Sequence, residues 1–163
     1  MKSVLILRHA KSSWKDPDTD DHERPLNERG KRDAPSMGNL LKNERIQPDL
    51  IISSTAKRAR STAKRVAESL GYKGKITLDR TLYEAEPAAY INILHHLPNE
   101  YTRVLIVGHN PGVEELVSMA TGEEHVMPTC SLAHVQFSVN SWNELNFKSR
   151  GKLLGTWQPR ASS

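Results

Sequence analysis

Hydrophobic positions in this chain form two kinds of run. The first is short and continuous. Val4-Leu5-Ile6-Leu7 within Ser3–Arg8 predicts a strand buried on both faces, and Asp49–Ser53 and Arg103–Val107 predict two more. Lys75–Leu78 is a weaker strand. Ser131–Val139 alternates more, through Leu132, Val135, Phe137 and Val139, and predicts a strand nearer the sheet edge; Lys152–Trp157 predicts a last short one. The second kind of run repeats at helical spacing. Met37, Leu40 and Leu41 mark one apolar face, and Pro35 places the start of that helix near Ala34, with the proline in its first turn. Ala59, Ala63, Val66, Ala67 and Leu70 make one face of a helix over Ala56–Leu70, ended by Gly71. Ala88–Leu97 follows Pro87 as a third helix. A fourth runs from Pro111 to about Thr121, with Asn110 as its N-cap and Glu114 and Glu115 near the positive end of its dipole. Strands alternating with helices predict an α/β fold, a three-layer sandwich whose central, mostly parallel sheet has helices on both faces.

Composition narrows the classes. The 163 residues, 37% hydrophobic and 26% charged, fit a single domain over residues 1–163 with a sizeable core. No linker or low-complexity segment divides them. Mean hydropathy is −0.59 and no apolar run approaches a membrane span, so membrane insertion is excluded as a prediction. The N-terminal apolar run ends at Arg8 and His9, too short for a signal-peptide core. Cys130 is the one cysteine, which excludes an intrachain disulfide and a thiolate zinc cluster; it reads as a small buried hydrophobe. A cytoplasmic location is predicted. The charge of +4 is compatible with nucleic acid, an acidic surface or an anionic substrate, and chooses none of them.

An internal echo carries more. Val4-Leu5-Ile6-Leu7-Arg8-His9 and Val104-Leu105-Ile106-Val107-Gly108-His109 share one pattern, with a histidine just past the C-terminal end of a buried strand. Ligands of open α/β sheets bind outside the carboxyl ends of strands, so neighbouring strands would bring both histidines to one crevice. Arg8 lies beside His9. Arg58 lies one turn into the helix after Asp49–Ser53, also beyond a strand's carboxyl end. Two arginines, two histidines and a helix N-terminus suit a phosphate. Taken alone, Arg58 also fits a solvated basic face with Lys57, Arg60, Lys64 and Arg65, and each histidine alone fits a structural turn.

Leu7-Arg8-His9-Ala10 resembles the Arg-His-Gly signature of the histidine phosphatase superfamily, the phosphoglycerate mutase-like enzymes. Arg24-Pro25-Leu26-Asn27-Glu28-Arg29-Gly30 resembles the family's Leu-Thr-x-x-Gly segment. Ser53 through Ala63 resembles its Ser-Ser-x-x-x-Arg-Ala-x-x-Thr-Ala segment, and Val107-Gly108-His109-Asn110-Pro111 the segment around its second histidine. These occur in order over roughly residues 4 to 112. The short chain, Gly108–Gly112 and Leu82-Tyr83-Glu84-Ala85 are most similar to SixA-type phosphohistidine phosphatases.

The resemblance implies that His9 is a nucleophile forming a phosphohistidine intermediate, with Arg8, Arg58 and His109 holding the phosphoryl group and Asn110 adding to substrate binding. Cations on the equatorial oxygens and a neutral attacking imidazole suit that step. It predicts a neutral His9 beside a protonated His109. Glu84 is the candidate general acid, with Glu86 a nearby alternative and a plain surface loop the other reading. No cofactor is implied, and no metal, since His22 beside Asp20 and Asp21 lacks partner ligand spacing. Ala10 stands where many relatives have glycine and is tolerated if its φ is negative. Lys11–Arg24, with Trp14, predicts a long loop near the site in which Lys11, Ser12 and Ser13 can touch substrate. His95-His96 reads as a helix end. The expected substrate is a phosphorylated protein domain bearing phosphohistidine. The alternatives are a small phosphorylated metabolite, served by a phosphomonoesterase or mutase of the same superfamily, and a non-catalytic phosphate- or nucleic-acid-binding module. The Lys57–Arg65 cluster predicts no nucleic-acid partner.

Overall fold

The computed structural model describes residues 1–159. Six strands, β1 (Lys2–Arg8), β2 (Leu50–Ser54), β3 (Ile76–Asp79), β4 (Arg103–Gly108), β5 (Leu132–Phe137) and β6 (Gly151–Trp157), form one sheet in the order β3-β2-β4-β1-β5-β6. β1, β2, β3 and β4 pair in parallel, whereas β5 runs antiparallel to both β1 and β6. The continuous aliphatic runs fall on the two central strands because both of their faces are covered. Leu5, Leu7, Leu105 and Val107 point into one core with helices α1 (Glu28–Asn43) and α2 (Lys57–Leu70). Val4, Ile6, Val104 and Ile106 point into the other with α3 (Pro87–His95) and α4 (Gly112–Thr121). The three-layer α/β sandwich follows from this alternation.

The chain after β1 thus leads to a helix on one face, and the chain after β4 to a helix on the other. Diverging connections from adjacent parallel strands open a crevice at their carboxyl ends. β1 and β4 pair from Ser3↔Arg103 to Arg8↔Gly108, so the crevice opens between His9 and His109.

Two helix starts differ from the sequence reading. α1 begins at Glu28, not near Ala34, because the Asn27 side chain accepts the Gly30 N–H at 2.9 Å and nucleates the first turn. Pro35 therefore lies inside the helix. It leaves the Lys31 carbonyl without its helical donor, on an exposed turn that water can reach. α4 begins at Gly112, and Pro111 occupies the cap position rather than the first turn. Asn110 still caps it from one residue further back, its Oδ1 accepting the Glu114 N–H at 3.3 Å. α2 ends at Gly71, whose φ of 83° gives the left-handed stop.

Candidate active site

His9 is the first residue beyond β1. Its N–H donates to the Gly108 carbonyl at 3.0 Å, and its carbonyl accepts from the Cys130 N–H at 3.0 Å, so its backbone is fixed between β4 and the turn before β5. The imidazole Nδ1 lies 2.7 Å from the Ala10 carbonyl oxygen. A carbonyl only accepts, so Nδ1 carries the proton and Nε2 keeps its lone pair. Burial pushes His9 down to about 3; the Ala10 bond opposes this, and His109, Arg58 and Arg8 reinforce it. His9 is a neutral imidazole.

His109 is the first residue beyond β4, and its ring centroid lies 5.1 Å from that of His9. Its Nε2 is 2.8 Å from Ser54 Oγ at the end of β2, and its N–H donates to the Tyr90 hydroxyl at 3.3 Å. Its Nδ1 is buried with no partner. Gly108 permits this packing, since a Cβ there would collide with the Tyr90 hydroxyl. The expectation of a protonated His109 is corrected. Burial, and then the Arg58 charge, push it down to about 4, and Asp21 only partly opposes them.

The arginines converge on the same place. Arg8 Nη1 donates to the Met127 carbonyl at 3.0 Å. Arg58, 6% exposed, donates through Nη1 to the Asp21 carbonyl at 2.7 Å and through Nη2 to Asp21 Oδ2 at 3.1 Å. The Nε of each is buried without a partner. Thr62 ties the two halves together, donating to the Arg58 carbonyl at 2.7 Å while accepting the Ala10 N–H at 3.0 Å. Ala10 has no positive φ and is fully buried, which is why it replaces glycine here without strain.

Arg8, His9, Arg58, His109 and Asn110 line one cavity of about 240 Å³. Asn110 is held by Nδ2 bonds to Glu114 Oε2 at 2.7 Å and to the Met127 carbonyl at 2.9 Å. Lys11 and Ser12 line the cavity as well, whereas Ser13 lines an adjoining groove. Glu84 is not brought in. It is exposed, stands at φ 56° in the turn before α3, and does not line the cavity. Glu86, the alternative acid, is exposed at the N-cap of α3. His95, which ends α3, bonds the Leu145 carbonyl at 2.9 Å. Cys130 is fully buried, and burial pushes its thiol up to about 12.

Four participants escaped the sequence reading. Arg24, 8% exposed, lines the cavity, bonds Ser12 Oγ, pairs with Asp21 at 3.5 Å and lies 3.8 Å from the Trp14 ring centroid. Asp21 anchors Arg58, Arg24 and the Tyr83 hydroxyl at once, and these donors hold its carboxyl below the usual carboxylate range. Tyr83 stands edge-on to His109 at 5.7 Å, and Ser54 holds His109. The sequence signal for Arg24 was its place in Arg24-Pro25-Leu26, which marks only a helix start when the loop before it has no known path. His22 bonds Thr55 Oγ1 at 2.8 Å, and among the described residues no three His, Cys, Asp or Glu side chains cluster as metal ligands. No described helix is long and apolar enough to cross a membrane.

Comparison with known proteins bears on this geometry. A curated relative from Arabidopsis thaliana, an uncharacterised chloroplastic protein, is 32% identical over 99% of this chain and 79% of its own length. A solved structure from Agrobacterium tumefaciens, which carries the name of the phosphohistidine phosphatase SixA with that function unproven, is 30% identical with a TM-score of 0.83, covering 97% of this chain and 98% of that one. The protein histidine phosphatase SixA, solved with tungstate, has the same fold at 24% identity and a TM-score of 0.83, covering 96% and 97% of the two chains. The sheet, the phosphoglycerate mutase-like α/β fold and phosphatase activity are supported together. The family model of the histidine phosphatase superfamily (branch 1) matches residues 4–92, and the chain belongs to that superfamily.

Proposed function

We propose that this protein removes phosphate from protein phosphohistidine, with His9 as nucleophile. One observation carries the reading: His9 is a neutral imidazole with Nδ1–H fixed on the Ala10 carbonyl and Nε2 without a partner among the described residues, in a cavity lined by Arg8, Arg58 and Arg24. In the reaction, Nε2 attacks phosphorus and the bond from phosphorus to the leaving nitrogen breaks, the substrate's phosphohistidine ring reacting with its other nitrogen protonated so that it departs as a neutral imidazole. The positive charge that develops on His9 is met by the Nδ1–H bond to Ala10. The arginines neutralise the equatorial oxygens as the phosphoryl group passes between nitrogens. A phosphoryl group brings the negative charge that His109 lacks beside Arg58, so His109 gains its proton as substrate binds. Water then attacks phosphorus, the bond from phosphorus to His9 breaks, and inorganic phosphate leaves.

The tungstate held by SixA is a tetrahedral oxyanion and supports a phosphoryl site here. An imidazole leaves more readily than an alkoxide, which suits a site where the nearest acid candidate, Glu84, does not line the cavity. The test is purified protein incubated with a phosphohistidine-bearing carrier protein, beside a panel of sugar phosphates and phosphoglycerates. Higher kcat/KM on the carrier is expected. High efficiency on one metabolite and none on phosphohistidine would replace this reading with a small-molecule phosphatase.

A further inference from the structure

A groove of about 630 Å³ adjoins the catalytic cavity, and Arg24 lines both. Its walls come from the loop after β1 and the first turns of α1 and α2. Five cations line it. Arg24, Arg29 and Lys31 are already engaged, by Asp21 at 3.5 Å, Asp33 at 3.3 Å and Glu28 at 3.5 Å. Lys15 and Lys57 are exposed, and among the described residues neither side chain has an ion-pair or hydrogen-bond partner. The groove's carboxylates are mostly occupied. Glu28 meets Lys31, Glu23 meets Arg60 at 3.2 Å, and Asp16 takes the Asp18 N–H of its own turn at 3.0 Å. At the N-terminus of α2, Ala56 provides no side-chain cap, so the dipole end beside Lys57 adds to the positive field.

We propose that this groove receives an acidic segment of the substrate protein, flanking the phosphorylated histidine that enters the cavity. The inference rests on the protein-phosphohistidine reading and adds the charge of the partner. Two free cations beside a phosphoryl site would gain from carboxylates whose backbone the phosphohistidine has already anchored. Nucleic acid fits less well. The cations are interleaved with Asp16, Glu23 and Glu28 instead of forming a stripe that follows successive phosphates, and among the described residues no aromatic ring lines the groove, Trp14 on Arg24 lining the neighbouring cavity.

The experiment uses synthetic peptides carrying one phosphohistidine flanked by Asp and Glu, by Ser and Gly, or by Lys and Arg, with para-nitrophenyl phosphate as a substrate too small to reach the groove. At low salt the acid-flanked peptide should exceed the neutral one by about tenfold in kcat/KM, and the gap should close near 1 M salt, where the Debye length is about 3 Å. In the double variant Lys15→Glu/Lys57→Glu the preference should vanish, while para-nitrophenyl phosphate hydrolysis stays within about twofold of wild type. Equal rates on the three peptides, a preference that survives in the variant, or an equal loss on para-nitrophenyl phosphate would overturn the proposal. If no peptide is dephosphorylated while para-nitrophenyl phosphate is, the protein-phosphohistidine reading falls. The groove is then judged by calorimetry with the unphosphorylated acidic peptide: binding lost in the double variant upholds it, and no binding to wild type overturns it. Tighter binding of a single-stranded oligonucleotide, lost in the same variant, would overturn it in favour of nucleic acid.

Discussion

Lowering the pH from 7 to 5 should cost this protein about 4 kcal/mol of folding stability through the two histidines of the site alone. His9 and His109 are each 7% exposed, and burial pushes them down to about 3 and about 4. An unfolded histidine titrates near 6.5, so between that pH and the folded values the unfolded chain binds more protons than the folded one. Stability is therefore fully present above about pH 6.5 and is lost as pH falls toward 4 and then 3. Each histidine contributes about 1.4 kcal/mol per pH unit in that window, or about 2 kcal/mol by pH 5. His134, pushed down to about 4, acts in the same direction. Against the roughly 5–15 kcal/mol of an ordinary domain, a loss of this size brings acid unfolding within reach of mildly acidic buffer. Urea titrations at half-unit steps in a buffer without oxyanions measure it. His109→Gln should remove about 2 kcal/mol of the loss, leaving the parts due to His9 and His134. Inorganic phosphate should flatten the curve, because it supplies the countercharge that lets His109 protonate in place. A stability that changes by less than about 1 kcal/mol between pH 7 and pH 5 would refute the argument, and would show that water reaches both rings.

His9→Ala should abolish turnover with the fold intact, and rapid acid-free quenching with labelled substrate should trap phosphoenzyme in wild type only; residual activity above about one thousandth of wild type removes His9 as nucleophile. Arg58→Ala and His109→Ala should each cost about 2–4 kcal/mol in kcat/KM, with Lys57→Ala near wild type on para-nitrophenyl phosphate as the control. Asp21→Asn should weaken Arg58 indirectly, raising KM for para-nitrophenyl phosphate more than it lowers kcat; an unchanged KM would show that Arg58 is placed without the Asp21 charge. Chelators should leave activity intact, and activity restored only by magnesium or zinc would contradict a site that relies on arginine for its charge. Because Glu84 stands outside the cavity, Glu84→Gln should leave phosphate-ester and phosphohistidine hydrolysis near wild type; a loss confined to the ester would restore Glu84 as the acid.

The fold was legible where burial is two-sided. Four aliphatics in a row at Val4–Leu7 and again at Val104–Val107 can only be covered by helices on both faces, and β1 and β4 do lie at the centre of the sheet. Boundaries set by side-chain chemistry were harder to place. Pro35 suggested a helix start, but the Asn27 side chain, accepting the Gly30 N–H, starts the helix two turns earlier, and the proline is carried inside it on a partly exposed turn. Asn110 was read correctly as a capping side chain, but its cap acts one residue further along than a sequence pattern can show.

The candidate site divides along the same physical line. Arg8 ends β1, and His9, His109 and Asn110 come just past strand ends, so strand register alone brings them together. Arg58 sits in the first turn of α2, close enough to its strand for the same logic to hold. Arg24 and Asp21 belong to a loop whose path is set by contacts distant in sequence: the Ser12↔Leu26 bridge, the Tyr83 hydroxyl, and Arg58 itself, 37 residues away. No local pattern encodes those meetings. The charge state of His109 was lost for a related reason. Counting cations suggested a protonated ring, yet a ring surrounded by guanidinium charges and shielded from water is the one that gives up its proton. The arginines that make this site attractive to a phosphoryl group are therefore among the groups that keep both histidines neutral until that group arrives. In the proposed mechanism this neutrality leaves His9 a lone pair for attack, and leaves His109 a proton to gain only when the phosphoryl charge is present.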